Sequence, residues 1–133
     1  KKEAITQAEY WLERISLDHK AYAPAISLSG GEKQRMVMAR SLISDPKLIF
    51  LDEPTVNLDG KSKSQIEELL KHVINNGTKI IMATHDLGQA KRLGNDILFL
   101  HHGKLLEVGS AASFFKNPKT KEGLTFLRGE ILQ

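Results

Sequence analysis

Lys47-Leu48-Ile49-Phe50-Leu51-Asp52-Glu53-Pro54 is the stretch that decides the fold. Four apolar residues run without alternation and stop at two acids and a proline. A short run of this kind, bounded by turn signals, predicts a strand buried on both faces of a parallel sheet. Downstream, Ile66, Leu69, Leu70, Val73 and Ile74 recur at helical spacing, and Gly77 stands where a C-terminal cap falls. A second apolar run, Ile80-Ile81-Met82-Ala83-Thr84, then ends at His85-Asp86. Strand, helix and strand in this order predict a right-handed βαβ unit with parallel strands. The class is α/β.

Upstream, Ser29-Gly30-Gly31-Glu32 reads as an S-x-x-E capping box, so a helix should open near Gly30 and run to about Ser44, where Asp45-Pro46 stops it. Residues 4–16 place Ala4, Ile5, Ala8, Trp11, Leu12 and Ile15 on one helical face. Downstream, 96–100 and 104–108 flank His101-His102-Gly103 as a hairpin. Ser110 caps a short helix through Phe114-Phe115, Asn117-Pro118 interrupts it, and the last fifteen residues look helical.

Composition narrows the class of function. The 133 residues suit one domain, and 41% hydrophobic residues are too many for a disordered chain. No apolar run approaches the ~18 residues of a membrane helix, and the polar opening is unlike a secretory leader. Without cysteine there are no disulfides or thiolate metal sites. A net charge of +3 is too small to argue for a nucleic-acid or lipid partner.

The chemistry-bearing residues lie at element ends. Asp52 and Glu53 follow a buried strand, where open α/β sheets place their ligands. One carboxylate there suits Mg²⁺, held largely through water, and the other suits a water aimed at a phosphoryl group. A solvated acidic turn is the plain alternative. Ser29, Gly30 and Gly31 offer a hydroxyl, backbone N–H groups and a positive helix end to an anion, or else simply start a helix. His85 ends the second strand, as a hydrogen-bond donor to a phosphate or water or as a polar terminus. His101 and His102, as strand neighbours, should face opposite ways and share no metal. His19 and His72 have no recognisable partner.

Leu28-Ser29-Gly30-Gly31-Glu32, then Leu51-Asp52-Glu53-Pro54, then Asn57-Leu58-Asp59, then Thr84-His85-Asp86 stand in one order. Together they resemble the signature motif, the Walker B motif, the D-loop and the switch-histidine loop of the nucleotide-binding subunit of ABC transporters, over essentially the whole chain. The resemblance implies a partial P-loop NTPase (RecA-like) core with parallel strands, a C-terminal β-hairpin and part of the ABC helical subdomain. It divides the chain into 1–44, the end of that subdomain with the signature helix, and 45–133, the remnant of the catalytic core. By the same resemblance, ATP and Mg²⁺ are the cofactors, Asp52 holds Mg²⁺ through water, and Glu53 is the general base. His85 contacts the γ-phosphate. Ser29, Gly30, Gly31 and Glu32 form the signature that meets a nucleotide on the opposing subunit, and Asp59 lies at the dimer interface. The implied partners are a second ABC ATPase subunit and membrane-spanning permease subunits. The implied location is cytoplasmic, peripheral to the inner face of the cell membrane, with no span and no nucleic acid. Two departures are mild: Glu32 stands for the commoner Gln, and Asn57-Leu58-Asp59 for the usual Ser-Ala-Leu-Asp.

No G-x-x-x-x-G-K-[ST] loop, adenine-stacking aromatic or Gln loop of the family occurs in the 133 residues. The resemblance is therefore to the C-terminal half of such a subunit. The family's P-loop strand lies between the strand before His85 and the strand at 96–100. Its loss implies negligible ATP hydrolysis by this chain alone and open strand edges that invite self-association. The tail, from Thr84 through Phe114-Phe115 and Pro118 to Phe126-Leu127-Arg128-Gly129-Glu130, looks like oxyanion importers, tungstate-type first and phosphate-type next, with amino-acid importers a near alternative. Two competing readings are an SMC or DNA-repair ATPase, which usually leads into sustained heptads not seen here, and a non-catalytic partner of a full-length subunit.

Overall fold

β1 (Leu48–Asp52) and β2 (Lys79–Ala83) pair in parallel, with Leu48 opposite Lys79 and Asp52 opposite Ala83. The helix between them, α3 (Gly60–Asn75), completes the expected βαβ unit. Gly77 takes φ +91° just past its C-cap Asn76, the left-handed stop that glycine accepts without strain. The computed structural model describes residues 2–130, which divide into two compact units, Lys1–Ala83 and Thr84–Gln133.

In the first unit, α1 (Lys2–Arg14) and α2 (Gly30–Leu42) precede the βαβ unit. No residue of α1 is fully buried; the chain instead buries Ile15 and Leu17 just beyond it, on either side of a left-handed Ser16 at φ +57°. The core joins these two to Met38, Ala39 and Leu42 of α2 and to Ile66, Leu69, Leu70 and Val73 of α3. Burial of each Leu or Ile contributes about 1.5–3 kcal/mol.

The expectation of strands buried on both faces is corrected. Exposure alternates along β1 and β2, leaving Phe50 71% and Ile81 52% exposed on directly opposed positions. The two strands form a two-stranded sheet, partly covered on one face and open on the other, so alternate residues meet solvent.

In the second unit, α4 (Leu87–Leu93) precedes an antiparallel hairpin, β3 (Asp96–His101) and β4 (Lys104–Ser110). Its two-residue turn places His102 at φ +46° and Gly103 at φ +71°, the left-handed pair whose twist matches the strands. α5 (Ala111–Lys116) is capped by Ser110, whose Oγ accepts from the Ser113 N–H, and it ends at Asn117 as expected. Phe99 packs on Phe114 and Phe126 with ring centroids 5.5 and 5.3 Å apart. Glu107 of β4 accepts from the Lys119 and Thr120 amides and the Thr120 hydroxyl, fixing the start of α6 (Lys121–Leu127). The helix expected over the last fifteen residues is thus shorter, ending before a left-handed Gly129; its final part, 131–133, lies outside the described residues.

Candidate functional site

Ser29 is the N-cap of α2, and the capping box is complete. The Ser29 amide donates to Glu32 Oε2 at 2.8 Å, and the Glu32 amide donates to Ser29 Oγ at 3.3 Å. Helix geometry leaves the amides of Gly30 and Gly31 without intrahelical acceptors, and a Cβ at Gly30 would meet nothing within 4 Å. The far oxygen of Glu32 takes an ion pair from Lys20 Nζ at 2.6 Å. The Lys20 hydrogen bond, helped by the Ser29 amide, holds the Glu32 carboxyl down to about 2 from its ordinary 4.5. A carboxyl lowered on folding stabilises the fold above its unfolded pKa and loses that contribution as pH falls. Stability from this cap should therefore be complete above about pH 4.5 and fade toward pH 2. Thermal melts of the wild type and Glu32→Gln across that range check it: only the wild type should show this loss.

Gly31 has a different reason to be glycine. A Cβ there would lie 2.5 Å from Ser62 Oγ and 3.0 Å from Ser62 Cβ. Ser62 is held in turn by Asp59, which caps α3: Oδ1 accepts from the Ser62 amide at 3.0 Å and Oδ2 from its hydroxyl at 2.8 Å. The Ser62 amide and hydroxyl lower the Asp59 carboxyl. Asp59, Ser62 and Gly31 thus tie the start of α3 to the start of α2. Gly31→Ala should cost about 1–3 kcal/mol through this clash, and adding Ser62→Ala should recover part of it; denaturant midpoints of the two single variants and the double variant measure both.

Asp52 is exposed at the end of β1, and Glu53 is half-buried in the left-handed region at φ +45°, its amide donating to the Ala83 carbonyl across the strand pair at 3.0 Å. The loop turns tightly through buried Pro54 and Thr55, with Asn57 also left-handed at φ +59°. Two left-handed non-glycine residues in one short loop are strained conformations of the kind that gather at functional sites. His85 belongs to the second unit and is exposed. Its neighbours fix the turn: the Asp86 amide donates to Thr84 Oγ1 at 3.1 Å, and Asp86 Oδ1 caps α4 by accepting from the Gln89 amide at 2.9 Å. The first unit therefore holds Ser29–Glu32 together through the capping box, brings Asp59 near Gly31 through Ser62, and sets Asp52 and Glu53 at its strand end.

The residues present fit the implied cofactors. Asp52 offers one accessible hard carboxylate, which suits Mg²⁺ completed by water and phosphate oxygens. The α2 start offers amides and a helix end suited to a phosphate. Among the described residues no three His, Asp or Glu side chains converge to cage a metal by themselves. His101 and His102 depart from the expectation of opposite faces: their rings are 4.0 Å apart, because His102 leaves the strand at the turn. His72 hydrogen-bonds Asn76 on α3, and burial, with nearby Arg14, lowers its pKa. Lys20 and Ser62 were not singled out in the sequence. Neither stands in a motif, and only the fold brings each to a motif residue.

Residues 2–56 match the ABC transporter family model. Over that stretch the chain is similar to the ATP-binding subunits of ABC transporters. It is 36% identical over 126 residues to the glutamine transport ATP-binding protein GlnQ of Geobacillus stearothermophilus, covering 95% of this chain and 52% of that protein. It is 46% identical over 105 residues to the phosphate import ATP-binding protein PstB of Campylobacter jejuni, covering 79% and 42%. Among solved structures it superposes on an inward-facing metal-chelate type ABC transporter with TM-score 0.81 and 30% identity, covering 97% of this chain and 50% of that one. For cbiO1 of Clostridium perfringens, part of the ABC transporter complex cbiONQ, the TM-score is 0.77 at 30% identity, covering 87% and 47%. The α/β class and the ABC-type fold read from the sequence agree with these neighbours. The chain spans about half the length of the curated relatives it matches. No described helix is long and apolar enough to cross a membrane.

Proposed function

We propose that this chain supplies the signature half of one ATP site, and the Walker B acids and switch histidine of another, in the ATPase of an ABC importer, working at the cytoplasmic face of the membrane with a second ABC ATPase subunit and two permease subunits. The observation that carries this reading is the α2 start, where Ser29 is locked by a complete capping box beside an exposed Gly30 with open space at its Cα. In this reading Ser29, Gly30 and Gly31 bind the γ-phosphate of a nucleotide held by the opposing subunit, and Glu32 sets the serine. Asp52 holds Mg²⁺ through its water shell, and Glu53 takes the proton of the attacking water. His85 donates to the γ-phosphate, and Asp59 lies at the interface. Bound Mg²⁺ would supply neutralisation of the phosphate charge. Residues 1–44 would serve as the helical subdomain's signature end and 45–133 as the core.

The phosphate cradle with its lysine supplies much of the grip on a triphosphate, so residues 1–133 by themselves should hydrolyse ATP negligibly. The relatives named for glutamine and phosphate support a small polar solute as cargo. The tungstate-type look of the tail has no counterpart among them, and an amino acid or phosphate is the better-supported proposal. The test mixes the chain with an ABC subunit that carries a Walker A loop. Composite-site Mg-ATPase that depends on Ser29 of this chain supports the reading; flat or reduced activity points to a non-catalytic partner instead.

A further inference from the structure

We propose that Lys20 is a positioning residue of the phosphate-binding end of α2, neutralising the Glu32 carboxylate that orients Ser29 so that this helix end keeps its attraction for a nucleotide's phosphate; this rests on the reading of Ser29, Gly30 and Gly31 given above. The problem that Lys20 solves is visible in the geometry. Glu32 sits at the third position of α2 and uses Oε2 to hold the Ser29 amide at 2.8 Å. The return bond, from the Glu32 amide to Ser29 Oγ, engages an acceptor lone pair of the hydroxyl and leaves its proton available to donate. The same carboxylate places a full negative charge in the first turn, where an incoming phosphate meets the positive helix end. A neutral Gln makes the same cap without that charge. Glu32 needs a counter-charge, and Lys20 Nζ supplies it on the opposite oxygen, at 2.6 Å.

Lys20 reaches Glu32 because its backbone is anchored. It ends a short 3-10 turn, Asp18–Lys20, whose preceding residue Leu17 is fully buried, and the Lys20 amide donates to the Leu17 carbonyl at 2.9 Å. A second link runs from the same segment into α2: buried Arg35 donates from Nε to the Ile15 carbonyl at 3.0 Å. The segment 15–20 and the start of α2 are thereby held in register.

The test titrates inorganic tripolyphosphate into the chain and follows the Gly30 and Gly31 amides by NMR. Pairs of partly exposed charges and charges at helix ends interact weakly, so effects of about threefold are expected. Lys20→Met should bind about threefold more weakly than wild type, Glu32→Gln about threefold more tightly, and the double variant about as wild type, with Lys20→Arg retaining wild-type binding. In 1 M salt, where the Debye length is ~3 Å, the ranking should compress. The Glu32 carboxyl resonance provides the structural control: its midpoint should rise in Lys20→Met while the amide spectrum stays folded. A double variant no tighter than Lys20→Met, or Glu32→Gln as weak as Lys20→Met, would show a purely structural pair and overturn the proposal. Lys20→Met binding like wild type overturns it as well. If tripolyphosphate moves neither amide in the wild type, the reading of the site itself fails and the role of Lys20 falls with it.

Discussion

In an ATPase subunit that joins these residues to a Walker A loop of its own, Glu53→Gln should lower turnover by about 10²–10⁴-fold, the range expected when a positioned general base is removed, while leaving nucleotide binding in place. The side chain emerges from a residue that the fold holds under tension. Glu53 sits at φ +45°, and its amide is fixed to the Ala83 carbonyl of the neighbouring strand. A left-handed conformation costs a residue with a Cβ roughly 1–2 kcal/mol. Glu53→Gly should therefore match or exceed the wild type in stability while losing turnover as severely as Glu53→Gln. Steady-state hydrolysis and denaturant titration of the same two variants separate these effects. If Glu53→Gln hydrolysed ATP at the wild-type rate, Glu53 would be only the acid of a solvated turn.

The largest effect on stability should come from Ile66→Ala. Ile66 is fully buried on α3, a helix that packs against α2, and its removal leaves a cavity in that core. A loss of about 2–5 kcal/mol is expected, against a total near 5–15 kcal/mol for a domain. Leu98→Ala, at a residue 58% exposed, should stay within about 0.5 kcal/mol. Trp11 is the only tryptophan and lies in the first unit, so its fluorescence in urea should report the Ile66 effect directly. A midpoint for Ile66→Ala equal to that of Leu98→Ala would contradict the packing described for α2 and α3.

These two residues also show where sequence alone was informative. The period of α3, the unalternated runs of β1 and β2, and the S-x-x-E cap at Ser29 are local signals, and each element formed near its expected bounds. α4 was not anticipated, because seven residues carry too little periodicity; its start was marked only by Asp86 as N-cap. Burial failed differently. An apolar run records that a strand is built to be covered, whereas coverage depends on the layers present, and Phe50 and Ile81 stay exposed. At the candidate site, Ser29, Asp52, Glu53 and His85 stood out because they occupy element ends beside turn residues. Lys20 and Ser62 act through contacts spanning 12 and about 30 positions, to Glu32 and Gly31, and spacing in the chain gives no sign of them. The hairpin histidines erred through geometry: the two-faced rule holds within a strand, and His102 had already entered the turn.

The most direct measurement is a structure of this chain bound to an ABC subunit that carries a Walker A loop, with Mg²⁺ and a non-hydrolysable ATP analogue. The account predicts terminal phosphate oxygens about 3 Å from Ser29 Oγ and from the Gly31 amide. A nucleotide seated with its phosphates remote from the α2 start, or an ordered complex in which Ser29 meets only solvent, would contradict it.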